Sequence, residues 1–212
     1  MKRYILACMT VAVVFASSLA SVKADDLFQP PWTRGADGTT WEGWTFTTGA
    51  LTTPPDEGFF NPYGTPSATI NAGTSQWNQY YNNHIGVWTL GAGNNISFDI
   101  PNTPYDATKF KTVWAQITWQ TDNNGTPVLT LSGTPMTFVE SQVEPNGWVA
   151  AVYETRLPYN PSGETVIISG SLPGTTFDLG EVFIDTQCVP EPSTLAMLGL
   201  GAAVALVFRR RQ

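Results

Sequence analysis

Asn95-Ile96-Ser97-Phe98-Asp99-Ile100 decides how this chain folds. Ile96, Phe98 and Ile100 fall on one side of an extended backbone, and Asn95, Ser97 and Asp99 on the other. A period of two belongs to a strand with one face in a core and one in water. The same period runs through the longer segment Phe110–Gln120. There Lys111, Val113, Ala115, Ile117 and Trp119 share one face, while Thr112, Gln116, Thr118 and Gln120 share the other with Trp114. Asp122-Asn123-Asn124-Gly125 follows as a turn signal, and Asn160-Pro161-Ser162-Gly163 is another. Further strand-like runs lie at Thr40–Thr47, Ala68–Asn71, Gly86–Leu90, Val128–Ser132, Met136–Glu140, Gly147–Leu157, Glu164–Gly170 and Phe177–Thr186. No segment of ten or more residues in the body carries a helical period. The pattern predicts an all-β fold, a β-sandwich or jelly roll of about 8–10 strands.

Composition points the same way. Among 212 residues only 13% are charged, while there are 19 Gly, 16 Pro and eight Trp. Few charges with many turn formers and aromatics fit an exported β-protein of one domain. The formal net charge is −7. Residues 25–188 hold four basic and sixteen acidic side chains, a net of −12. That balance excludes nucleic acid as a partner, because phosphate recognition needs Lys and Arg.

The two ends read as addresses. Met1-Lys2-Arg3 precedes an apolar run from Tyr4 to Leu19, and Val22-Lys23-Ala24 offers small or apolar residues at a cleavage site. Residues 1–24 are therefore expected to be a signal peptide handled by the Sec export machinery. At the other end, Pro190-Glu191-Pro192 leads into the apolar stretch Leu195–Phe208, and Arg209, Arg210 and Arg211 follow. As a helix the stretch would be about 21 Å long, a short or transient membrane span. The arginines are expected to stay on the cytoplasmic side.

This terminus, residues 189–212, resembles the PEP-CTERM sorting signal of Gram-negative bacteria. That signal has a Pro-Glu-Pro motif, a short hydrophobic helix and a basic tail, and all three occur here in order. The resemblance implies processing by exosortase, a membrane cysteine enzyme, in a bacterium that makes exopolysaccharide. It implies transient anchoring in the inner membrane, then delivery to the cell surface or extracellular matrix. The body, 25–188, resembles galactose-binding-like jelly rolls through its closing strand, where Phe183-Ile184-Asp185 stand. An immunoglobulin-like sandwich is the alternative, and its Cys…Trp…Cys pattern is absent.

Catalytic chemistry is sparse. His84 is the one histidine and, in an Asn- and Tyr-rich stretch, is expected at the surface. No nucleophile elbow accompanies it. Cys188 has no partner in the body once Cys8 leaves with the signal peptide. No catalytic or metal-binding residue and no cofactor is assigned. A structural calcium ion is compatible with such a fold, yet Asp122–Gly125 lacks the closing Glu of a calcium loop and reads as a plain turn. Glu140, Glu144 and Glu154 are the acids in or near strands that a glycosidase pair would draw on. Trp77, Tyr80 and Tyr81, interleaved with Asn and Gln, are the candidate glycan contacts. The expected function is a non-enzymatic, carbohydrate-binding surface or matrix protein. The alternatives are a glycan-degrading enzyme and a purely structural matrix or adhesion protein.

Overall fold

A computed structural model describes residues 26–71 and 73–190. The expected signal peptide, Glu191, Pro192, the apolar stretch and Arg209–Arg211 lie outside the described residues. Among the described residues no helix is long and apolar enough to cross a membrane.

Fourteen strands follow one another: β1 (Thr39–Trp44), β2 (Thr52–Thr53), β3 (Gly58–Phe60), β4 (Ser67–Asn71), β5 (Gln76–Tyr81), β6 (His84–Gly91), β7 (Asn95–Pro101), β8 (Lys109–Thr121), β9 (Pro127–Leu131), β10 (Thr134–Pro135), β11 (Thr137–Val143), β12 (Val149–Leu157), β13 (Gly163–Gly170) and β14 (Thr176–Pro190). All pairings are antiparallel and form two sheets. The larger sheet runs β11-β12-β8-β14-β1-β3, and the smaller runs β10-β9-β13-β7-β4-β2. The expected all-β sandwich is what forms. Each of the ten strand-like runs becomes a strand; β2, β3, β5 and β10 are additional.

The core lies between the sheets. Ile96, Phe98 and Ile100 of β7 face Val113, Ala115 and Ile117 of β8 and Val182 and Ile184 of β14 in one buried apolar cluster. Trp44 meets Phe98 edge-on, with ring centroids 4.8 Å apart.

β14 organises the larger sheet. β8 lines one side of it, from Phe177↔Thr121 to Pro190↔Lys109. Its other side is taken first by β6, at Thr176–Leu179, and then by β1, at Val182–Gln187. The exchange happens at a bulge between Leu179 and Glu181. The bulge lets Leu179 and Val182 both enter the core and turns Glu181 to the outer face. β6 peels away at Gly86, whose φ is +71°. A Cβ there would stand 2.0 Å from the Thr45 carbonyl oxygen, so only glycine fits.

β14 runs on past residue 188: Cys188, Val189 and Pro190 pair with Lys111, Phe110 and Lys109. The Cys188 N–H also donates to the Gly38 carbonyl at 2.8 Å. Pro190 therefore belongs to the sheet.

The core is polar at the end where β14 finishes. Lys111, Glu164 and Glu42 occupy inward positions that continue the apolar rows of β8, β13 and β1. Lys111 Nζ is 3.1 Å from Glu164 Oε1, with both side chains wholly buried. Asn102 donates to Glu164 Oε2 at 3.0 Å and to Asn160 Oδ1 at 2.8 Å. Asn61 donates to Glu42 Oε1 at 2.9 Å.

The outer face of the larger sheet is partly covered by the leading arm. Phe28 N–H donates to Gln116 Oε1 at 2.8 Å, and Trp114 Nε1–H donates to the Phe28 carbonyl at 3.3 Å. Arg34 grips buried Asp185 through Nε and Nη2 at 2.5 and 2.6 Å and also pairs with Asp26. Burial pushes the Asp185 carboxyl up to about 6 against the pull of the guanidinium, so the pair is charged at neutral pH. Arg34→Leu is expected to expose the arm to limited proteolysis under native conditions. An arm as resistant as in the unaltered protein would show that the clamp does not hold it.

Candidate functional site

The stretch of Trp77 to His84 is a hairpin rather than a loop. β5 pairs with β6 from Gln76↔Thr89 to Tyr81↔His84. Asn82 and Asn83 close it with φ values of 45° and 71°. Positive φ at both central positions matches the twist of an antiparallel pair, and Asn tolerates it.

The three aromatic candidates part company here. Trp77 turns inward: its Nε1–H donates to the Phe46 carbonyl at 3.0 Å and its ring packs on the core. Tyr80 is 63% exposed and Tyr81 40%. The Tyr80 hydroxyl donates to Asn83 Oδ1 at 2.7 Å. The Tyr81 phenol is raised above the usual range chiefly by the Asp178 carboxylate, with burial and Asp122 adding to it.

The hairpin tip is pinned from the far side. Asn82 Nδ2 donates to Gln120 Oε1 at 2.8 Å and to the Asn146 carbonyl at 3.0 Å. Trp148, fully buried, donates Nε1–H to the Asn82 carbonyl at 3.0 Å. These bonds fix the hairpin tip, from which Tyr80 and Tyr81, consecutive on β5, project to opposite faces.

His84 is not the surface residue expected. It is buried, with its ring centroid 4.1 Å from that of Trp148. Glu144 Oε2 lies 3.8 Å from its Nε2, and Glu181 Oε1 lies 3.6 Å from its Nδ1. The bulge residue Gly180 makes this possible, since a Cβ there would sit 3.3–3.4 Å from the Trp148 ring and His84 Nδ1. Glu140 is exposed on β11, and Glu154 is half-buried on β12. Among the described residues no group of three His, Cys, Asp or Glu side chains is placed to hold a metal ion. Asp122–Gly125 is a turn wrapped on one acceptor: the N–H groups of Asp122, Asn123 and Gly125 all reach the Thr176 carbonyl.

A second exposed aromatic pair sits at the opposite end of the sandwich. Tyr105, 62% exposed, and Tyr159, 39% exposed, have ring centroids 5.7 Å apart. Their loops are locked by backbone bonds in both directions between Asp106 and Asn160, at 2.9 and 3.0 Å. Asn160 Nδ2 also donates to Thr103 Oγ1 at 2.6 Å. Each tyrosine is alone in its loop sequence, so no local signal pairs them.

Comparison with solved structures finds a family 35 carbohydrate binding module from Clostridium thermocellum. It is 11% identical, with a TM-score of 0.40, over 55% of this chain and 90% of that one. It also finds the CBM36-1 domain of a multidomain xylanase from the hindgut metagenome of Trinervitermes trinervoides. That domain is 12% identical, with a TM-score of 0.29, over 56% of this chain and 95% of its own. No curated protein matches the chain. The family described as a PEP-CTERM protein-sorting motif matches residues 189–211, which begin one residue before the last residue of β14. The chain is thus an exported protein that carries a C-terminal PEP-CTERM sorting signal addressed to exosortase.

Proposed function

We propose that this is a non-catalytic, carbohydrate-binding protein of the cell surface or extracellular matrix. Residues 1–24 direct it through the Sec machinery, and the apolar stretch 195–208 holds it in the membrane until exosortase removes it. Exopolysaccharide is its ligand class. The observation that carries the reading is the exposure of Tyr80 and Tyr81 on a hairpin fixed by Asn82, Gln120 and Trp148. Aromatic rings accept the C–H faces of sugars, and the exposed Asp122 carboxylate can accept sugar hydroxyls. A hairpin already held in place loses little entropy on binding. Trp77 acts beneath it as a support. A glycan-degrading enzyme needs two carboxylates turned to one glycosidic bond. Glu144 and Glu181 turn instead to the two nitrogens of one imidazole, and this favours the binding reading.

The test is affinity electrophoresis of the exported protein in gels of neutral polysaccharide and of the host's exopolysaccharide. The unaltered protein is expected to be retarded. Removing both rings, Tyr80→Ala with Tyr81→Ala, is expected to weaken binding by about tenfold or more. Retardation kept by the variant would move the site off the hairpin. A folded protein that no glycan retards would overturn the reading.

A further inference from the structure

We propose that the end of the sandwich where β14 finishes rests on the lipid bilayer, with Tyr105 and Tyr159 set into the headgroup layer. The proposal relies on the membrane role given above to residues 195–208. It adds an orientation and a contact surface for the folded body.

Covalent geometry supplies the first argument. β14 stays in the sheet through Pro190, and the apolar stretch begins at Leu195. Five Cα steps span at most about 18 Å even fully extended. The headgroup layer on one side of a bilayer is itself about 5–8 Å thick. With Leu195 at the edge of the hydrocarbon, no conformation of residues 191–194 carries Pro190 far from the membrane surface.

The surface at that end supplies the second. Pro190 pairs with Lys109, the first residue of β8, and the loop carrying Tyr105 leads into that strand. Leu157, the last residue of β12, pairs with Lys111, so the loop carrying Tyr159 opens beside it. The two tyrosines therefore stand together beside the exit of the chain, on the β8 side of β14. Tyrosine suits this layer, with an apolar ring for acyl chains and a hydroxyl for headgroups and water.

Charge supplies the third. The described residues contain four cations, Arg34, Lys109, Lys111 and Arg156. Lys111 is consumed by Glu164 inside the core, and Arg34 by Asp26 and Asp185. The other two stand at this end: Lys109 beside Asp106 at 3.3 Å, and exposed Arg156 over the Phe110 ring, 3.4 Å from its centroid. The acidic remainder of the body is repelled by anionic lipid. Facing this end to the bilayer turns that remainder away.

The experiment uses the full chain with Cys8→Ser and Cys188→Ser, reconstituted in phosphatidylcholine vesicles. Single nitroxide labels are placed by Tyr105→Cys, Tyr159→Cys, Leu172→Cys and Ala203→Cys. Leu172 is 57% exposed and lies just before the start of β14, at the far end. Collision with oxygen, which favours lipid, is compared with collision with a water-soluble nickel chelate. The label at 203 is expected to be lipid-like, those at 105 and 159 interfacial, and that at 172 water-like. A separate label at Thr108→Cys is expected to lose its interfacial signature when Tyr105→Ser and Tyr159→Ser are added. Labels at 105 and 159 as water-like as that at 172, with 203 in lipid, would overturn the proposal alone. A water-like label at 203 would overturn both the proposal and the membrane role beneath it.

Discussion

Lys111→Met is expected to destabilise the protein by about 3–5 kcal/mol. The cause lies in what remains rather than in what is removed. Glu164 is wholly buried, and Lys111 at 3.1 Å supplies its counter-charge. Burial already raises the Glu164 carboxyl, and Lys111 and Asn102 oppose that rise. Without the ammonium the carboxylate must take up a proton or stay uncompensated, and both cost stability. Replacing both partners, Lys111→Met with Glu164→Leu, is expected to recover most of the loss, because apolar residues fill such a site without desolvation cost. Asn102 then loses an acceptor but keeps Asn160 Oδ1 and the Pro161 carbonyl. Urea unfolding of the two variants measures the difference. A double variant as unstable as the single one would show that the ion pair is not the origin of the effect.

Glu42→Gln is expected to change how stability depends on pH. Burial pushes the Glu42 carboxyl from 4.5 up to about 8, with Asn61 opposing and Glu164 adding to the rise. The unfolded chain releases this proton near pH 4.5, whereas the folded chain keeps it to about pH 8. The stability contributed by neutral Glu42 is therefore complete below pH 4.5 and declines as pH rises toward 8. The slope is about 1.4 kcal/mol per pH unit over that window. Glutamine keeps an acceptor for Asn61 and does not titrate. The variant should gain on the unaltered protein steadily from pH 5 to pH 8 in thermal melts, and the gain should level off beyond. Melting curves that shift in parallel at all pH values would refute the assignment.

Much of this fold is legible as alternation. Ile96, Phe98 and Ile100 enter the core as read, and so do Val113, Ala115 and Ile117. β5 escaped because Gln76–Tyr81 has a single inward apolar ring, Trp77, and polar residues elsewhere. Its signal was the turn, Asn82-Asn83, which supports positive φ at both positions. His84 was misjudged because its partners, Glu144 and Glu181, come from distant strands and meet it only through the bulge at Gly180. No local pattern records a bulge. The polar end of the core left a fainter trace. Lys111 occupies an inward position on β8, and Glu164 alternates with Val166 and Ile168 on β13. A charge on the apolar register of two strands is a sign that the charges meet. The tyrosines at 105 and 159 share no such register, because loops carry no period.

The central position of β14 also sets the timing of folding. It is the last strand made, yet it pairs with β1, β6 and β8 and so joins both ends of the described chain. β11-β12-β8, β5-β6 and β1-β3 can pair without it, but the larger sheet is not joined into one until β14 is in place. Pairings that span most of a chain form late and slowly. The joining of the larger sheet is therefore expected among the last steps of folding, since the strand that unites it immediately precedes the sorting signal. A cut just upstream of Pro190 would remove the last pairs that β14 makes with β8.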